Sequence, residues 1–148
     1  MTIVTANIFT VRCDPQIISL GAMLGMQALG CNLFTLPAGK RAFPFHSHHA
    51  TEEMFIVLEG RGEFRLGSAT REIGPGDIVS CPPGGPETAH QITNIGAAEL
   101  RYIAISSKPP VDIIEYPDSG KFRATSMVSP GFDAICSLNS QLDYWNGE

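Results

Sequence analysis

Nothing in this chain is arranged for crossing a bilayer, for disulfide stapling or for gripping nucleic acid. Basic residues are few: 10 Lys+Arg stand against 15 Asp+Glu, a formal net charge of −5. Nucleic-acid binders normally present a basic face, so no nucleic-acid partner is expected. Long apolar runs are missing too. The most apolar early stretch, residues 17–30, is broken by Ser19, Gln27, Gly21 and Gly25 and is too short for a membrane span. Met1 to Thr10 lacks a basic region ahead of an apolar block, so no leader and a cytoplasmic location are expected. Cys13, Cys31, Cys81 and Cys136 are scattered without a Cys-x-x-Cys pair, which favours free thiols in a reducing compartment over disulfides or a thiolate metal site. Charged residues make up only 17%, below the roughly 25% of ordinary soluble domains.

What the chain has instead is punctuation. It contains 15 Gly and 11 Pro in 148 residues, enough to interrupt any long helix. From Cys31 onward, short apolar-rich runs succeed one another: 31–36, 42–48, 54–58, 63–66, 70–73, 77–80, 89–94 and 100–106. Turn residues separate them, as in Pro37-Ala38-Gly39, Glu59-Gly60-Arg61-Gly62 and Gly74-Pro75-Gly76. Runs of this length and spacing predict an all-β antiparallel sandwich or barrel. In Gly62-Glu63-Phe64-Arg65-Leu66 charged and apolar side chains alternate with period 2, as on a half-buried strand. Met54-Phe55-Ile56-Val57-Leu58 is apolar throughout, which predicts a strand covered on both faces. Residues 1–30 read as an N-terminal arm, with a short strand or one helical turn over 17–24. Residues 31–106 read as the barrel core. Residues 107–148, introduced by Pro109-Pro110, read as a C-terminal arm packed on the barrel or on a partner subunit.

The chemistry concentrates at His46-Ser47-His48. Residues i and i+2 of a strand share a face, so both imidazoles can converge on one centre. Imidazole is the commonest metal ligand, and a carboxylate from Glu52 or Glu53, across a short turn, would add charge to hold a divalent cation. Of the 4 histidines, His90 is the one left to complete the set. Strand parity turns His49 away from His46 and His48, so it reads as a solvated bystander. No G-x-S-x-G elbow, P-loop or G-x-G-x-x-G turn offers a competing chemistry.

The spacing Gly39-x6-His46-x-His48-x4-Glu53-x6-Gly60 resembles the first motif of the cupin superfamily, and Gly76-x5-Pro82-x-Gly84 followed by His90-x3-Asn94 resembles the second. The first motif carries one extra residue before His46, and a three-residue insertion precedes His90. The resemblance implies a double-stranded β-helix, or jelly-roll, barrel with N- and C-terminal arms. It further implies one divalent metal ion per chain (Zn, Mn, Ni or Fe) held by His46, His48, Glu53 and His90, and it selects Glu53 over Glu52. The tail over Tyr116-Pro117-Asp118-Ser119-Gly120-Lys121 is similar to that of small single-domain bacterial cupins labelled sugar-phosphate-isomerase-like.

Such a site suits a small oxygenated or sugar-like substrate, with isomerase-type chemistry. An Fe-dependent dioxygenase, or a small-molecule binding cupin without catalysis, are the alternatives. Phe45, Phe55, Tyr102 and Arg101 are the candidate substrate contacts. For an anionic substrate, Lys40, Arg41, Arg101 and the Gly84-Gly85 backbone N–H groups are candidates. The 84–88 insertion is expected to shape the mouth, and a homodimer is expected, with the N-terminal arm or an exposed apolar sheet face as its interface.

Overall fold

In the computed structural model, residues 4–11, 17–140 and 142–147 are described, and they are almost entirely strand and turn. The elements in chain order are β1 (Ile17–Ser19), α1 (Leu20–Met23), β2 (Leu29–Leu36), β3 (Ser47–His48), β4 (Glu53–Glu59), β5 (Gly62–Leu66), β6 (Ala69–Ile73), β7 (Ile78–Cys81), β8 (His90–Asn94), β9 (Leu100–Ser107), β10 (Val111–Tyr116), β11 (Lys121–Ser126) and β12 (Phe132–Ser137). The 17–24 segment is both of the forms expected of it, a three-residue strand running into one helical turn. No helix among the described residues is long and apolar enough to cross a membrane.

One wall is a five-stranded sheet in the order β1-β2-β9-β4-β7. Facing it are β6-β5-β8 and β12-β11-β10-β3. Paired backbone hydrogen bonds between His46 and His90, in both directions, join these two smaller sheets edge to edge. All the strand pairings are antiparallel, as a jelly roll requires. Between the walls lies a core that includes Phe34, Leu36, Phe55, Val57, Phe64, Ile73, Ile92, Leu100 and Tyr102. Alternation governs the inward faces: on β9, Leu100, Tyr102 and Ala104 are buried while Arg101, Ile103 and Ile105 are only half so. β4 departs from expectation. Phe55 and Val57 are buried, but Met54, Ile56 and Leu58 are half-exposed, so the strand is covered on one face and merely shielded on the other.

Gly60 shows why the first motif ends on glycine. Its φ is +86°, and a Cβ there would stand 2.4 Å from the Glu99 carbonyl oxygen and 2.8 Å from Leu100 Cα. Only a residue without a side chain lets the β4–β5 turn close against β9.

The segment read as a C-terminal arm holds three strands. β10 pairs with β3 in the register Ile114↔His48 and Glu115↔Ser47, and β11 and β12 follow outward. After β10 a 3-10 turn at Pro117–Ser119 brings Asp118 onto Arg65 of β5 through two hydrogen bonds of 2.7 and 3.0 Å. Cys31, Cys81 and Cys136 are free thiols; Cys13 lies outside the described residues.

Candidate metal centre

His46 and His48 flank Ser47 on the short strand that enters the barrel between β8 and β10. His90 opens β8, and Glu53 opens β4 on the opposite wall, between Cys81 and Ser106. The four side chains therefore meet across the barrel interior. Glu53 Oε2 lies 2.9 Å from His90 Nε2, 3.6 Å from His48 Nε2 and 4.0 Å from His46 Nε2. Among the described residues, donor atoms of His46, Glu53 and His90 all fall within 4.8 Å of one another.

The other ring nitrogens decide what those Nε2 atoms can do. His46 Nδ1 is 2.8 Å from the Pro44 carbonyl, His48 Nδ1 is 2.6 Å from Asp112 Oδ2, and His90 Nδ1 is 3.3 Å from the Thr88 carbonyl. Carbonyl and carboxylate oxygens only accept, so Nδ1–H is the donor in His46 and His48 and Nε2 is turned to the centre, while in His90, whose Thr88 contact is the longer, Nε2 also stands at hydrogen-bond distance, 2.9 Å, from Glu53 Oε2. This is the arrangement by which metal-ligating histidines are oriented. Two ligand atoms each about 2.1 Å from a shared ion stand about 3 Å apart at a right angle and about 4 Å apart when opposed. The Glu53 distances and the His46–Glu53–His90 group suit that spacing, while His48 stands outside the group within 4.8 Å, and the donor set suits a divalent transition ion.

Electrostatics agree. Burial, reinforced by the neighbouring His90 and His48, pushes the His46 pKa down to about 4, leaving it neutral at physiological pH. Burial alone would raise the Glu53 carboxyl, but the His90 hydrogen bond and the fields of His48, His90 and His46 outweigh it and hold the group ionised. Asp112 is buried and accepts from His48 Nδ1, from the Thr51 hydroxyl at 2.7 Å and from the Ala50 N–H at 2.9 Å. Burial opposes its charge, yet these three donors keep its pKa below the usual carboxylate range.

Beside the centre lies a cavity of ≈ 200 Å³. His46, His48 and Glu53 form one side, Phe34, Phe43 and Phe55 an apolar wall, and Asn32, Ser106, Tyr116 and Arg123 its polar edge. Residues 32–106, just over half of the chain, match the family model described as the cupin domain.

This chain belongs to the cupin family. The cupin superimposes on the crystal structure of a protein from Acidithiobacillus ferrooxidans designated a candidate sugar phosphate isomerase, with a TM-score of 0.77 and 28% identity, covering 86% of this chain and 78% of that one. It is 34% identical to auxin-binding protein 1 of Arabidopsis thaliana over 101 residues, 64% of this chain and 50% of that protein. It is 38% identical to a dimethylsulfoniopropionate lyase of Ruegeria pomeroyi over 71 residues, 47% of this chain and 34% of the lyase. The chain spans about half the length of the first curated relatives it matches.

The remaining residues singled out in the sequence are dispersed. Phe55 lines the cavity, 5.5 Å from the His90 ring. Tyr102 is buried behind the wall, stacked on Phe34 at 4.8 Å; burial and the charge of Glu53 raise its pKa, so the phenol stays protonated. Phe45 points elsewhere, its buried ring lying under the Arg65 guanidinium at 3.5 Å. Arg101 sits at the far end of β4, paired with Glu59 and the Ile8 carbonyl. Lys40 is exposed, and Arg41 reaches Gln91 at 3.4 Å. Gly84 N–H is taken by the His48 carbonyl and Gly85 N–H by Glu87. His49 contacts Glu115 at 3.1 Å, and Glu52 is exposed. The 84–88 insertion is absent from the cavity wall; its 3-10 turn at Pro86–Thr88 presents the Thr88 carbonyl to His90.

Asp112, Tyr116 and Arg123 are the site residues that sequence reasoning missed. The available signal was the alternation of Val111-Asp112-Ile113-Ile114-Glu115-Tyr116, a strand pattern carrying a carboxylate on the same face as Ile114.

Proposed function

We propose that this cupin holds one divalent metal ion on His46, His48, Glu53 and His90 and acts there on a small oxygen-bearing substrate by isomerase-type chemistry. The observation that carries the reading is the fixed orientation of the three imidazoles, each with Nδ1 engaged and Nε2 turned to the Glu53 carboxylate. Neutral histidines alone would not draw a cation so strongly; Glu53 supplies the one negative donor and leaves a net charge of about +1 on a divalent ion. Bound there, such an ion supplies Lewis acidity toward a carbonyl or hydroxyl oxygen.

This chain's own residues do the rest. Phe34, Phe43 and Phe55 close one side of the cavity to water, while Asn32 and Ser106 offer neutral hydrogen-bonding groups to substrate hydroxyls. At ≈ 200 Å³ the space lies below the roughly 300–1,000 Å³ of drug-sized pockets, which favours a molecule of few heavy atoms. The likeness to a candidate sugar phosphate isomerase supports the same substrate class. Ligand binding without turnover is the second reading, favoured by the likeness to an auxin-binding protein. A redox-active iron at the centre would instead favour dioxygen chemistry.

Elemental analysis of the purified chain tests the centre. About one divalent ion per chain is expected, lost in His48→Ala and Glu53→Ala and kept in His49→Ala. Equal loss in all three would overturn the ligand assignment, and the metal found separates the isomerase and dioxygenase readings.

The expected homodimer is assigned here to the outer face of the β10–β12 sheet. Val111, Ile113 and Phe132 are exposed there, and Phe122, Ala124, Ala134 and Cys136 share that face by register. A two-fold axis would bring this patch onto its own copy. Ile113→Asp with Phe132→Asp should yield a monomer by light scattering; a wild-type monomer would refute the assignment. The free thiols fit a cytoplasmic location.

A further inference from the structure

Arg123 is the cation in the cavity wall among the described residues, and its position follows from register. His48 pairs with Ile114, Ile114 with Arg123, and Arg123 with Ile135, so His48, Ile114 and Arg123 project from one face in a single row across β3, β10 and β11. Adjacent strands lie ~4.8 Å apart, which sets the Arg123 backbone ~10 Å from that of His48, within reach of one small molecule spanning the gap. Tyr116 stands alongside, its ring 6.3 Å from that of His46, with the Lys121 ammonium 5.9 Å above it at the rim.

The guanidinium is held in a particular way. Asp133 on β12 accepts from Nε at 2.7 Å and also from Nη2. That side-on clamp fixes the plane of the group, and the Tyr116 phenol stands beside it as a second polar neighbour. A cross-strand ion pair needed only to hold β11 to β12 has no reason to line a cavity. A guanidinium pre-oriented by a carboxylate at the polar edge of a cavity is the usual equipment for binding a carboxylate or phosphate. The chain as a whole repels anions, with its net charge of −5, so an anionic group needs such a local cation.

We propose that Arg123, clamped by Asp133 and flanked by Tyr116, is an oxyanion subsite, and that the substrate carries a carboxylate or phosphate at one end and a metal-binding oxygen at the other. This rests on the proposed metal-dependent reading of the His46–His48–Glu53–His90 centre. Of the cations considered from sequence, Arg101 is already paired at the far end of the barrel, and Arg41 is not part of the cavity wall.

The test is calorimetric titration of the zinc-loaded full chain with glycerol, glycerate and glycerol 3-phosphate. At least one anionic probe should bind about 10-fold or more tightly than glycerol, the worth of a charged hydrogen bond, and whichever binds better identifies carboxylate or phosphate. Arg123→Gln should bring that probe to the level of glycerol with the metal content unchanged; Arg61→Gln, an exposed pair with Glu72 elsewhere on the surface, should change nothing. Should Arg123→Gln prove unfolded, Arg123→Lys decides, and a several-fold weakening is expected because the charge stays while the fork is lost. Anionic probes no better than glycerol, or unchanged affinity in the Arg123 variants, overturns the proposal. Repeating the titration after chelation separates the two readings: a chain that never takes up metal refutes the metal centre, while Arg123-dependent anion binding persisting in it upholds the subsite.

Discussion

Asp112→Asn is the sharpest perturbation of the proposed centre, because it changes one oxygen to an amide and leaves all four proposed ligands in place. Oδ2 receives both His48 Nδ1–H, at 2.6 Å, and the Thr51 hydroxyl, at 2.7 Å, while Oδ1 receives the Ala50 N–H at 2.9 Å. An asparagine can satisfy only one side. With its oxygen toward His48, the amide NH₂ opposes the Ala50 N–H, and a buried donor left facing a donor costs about 1–3 kcal/mol. With the amide reversed, NH₂ faces His48 Nδ1, which must then become the acceptor; the proton moves to Nε2 and that ring stops being a ligand. The first route keeps the His48 tautomer but loses the negative charge that strengthens it as a ligand, the second loses the ligand itself, and losing such a partner weakens metal binding by about 10- to 100-fold, which is about 1.4–2.7 kcal/mol. A competition titration against a chromophoric chelator reads the affinity, and denaturant unfolding of the metal-free chain reads the stability loss separately. Thr51→Val is the control: it removes one donor to Asp112 at a cost of about 1 kcal/mol without touching His48, so metal affinity should stay within a few-fold. Metal affinity of Asp112→Asn equal to wild type would refute the argument that Asp112 sets the His48 tautomer.

Three further outcomes follow from the same structure. The metal-free chain should lose stability as the pH falls from about 6.5 to about 4, because the unfolded His46 takes up a proton in that window while the folded one, depressed to about 4, does not; a urea midpoint independent of pH over that range would contradict it. Gly60→Ala should destabilise by at least about 2 kcal/mol, since it adds left-handed strain to a 2.4 Å approach of Cβ to the Glu99 carbonyl oxygen; denaturant unfolding within 0.5 kcal/mol of wild type, about the spread of an ordinary surface change, would refute the account of that turn. Thiol labelling followed by peptide mass spectrometry should modify Cys81 only on unfolding, because Cys81 is buried and its pKa is pushed up to about 12 by burial and the charge of Glu53; early labelling of Cys81 would mean that the core beside Glu53 is open.

Much of the barrel was legible because strands announce themselves locally. The runs at 31–36, 63–66, 70–73, 89–94 and 100–106 fall within one or two residues of β2, β5, β6, β8 and β9, since alternation and turn residues act over a few positions. The run at 42–48 was less legible: only Ser47–His48 is strand, with single bridges at Arg41 and His46. Its one proline, Pro44, is part of no ladder, and Phe43 and Phe45 turn to different sides, one to the cavity and one under Arg65. Period 2 gives parity along a strand and nothing about how tightly its far side is covered, which is why Met54, Ile56 and Leu58 are less enclosed than the unbroken apolar run predicts.

By itself, then, the sequence determined the β architecture and the local geometry of its histidines: His46 and His48 share a face because i and i+2 on a strand must, and His49 turns away for the same reason. Which carboxylate orients His48, and which cation shares its cavity, was decided only by tertiary structure. Asp112 lies 64 residues beyond His48, and Arg123 reaches the same wall only because β10 inserts between β3 and β11. Strand pairing between distant segments is chosen by the packing of the whole barrel, where the faces of two sheets must both be buried, and no local pattern records the partner.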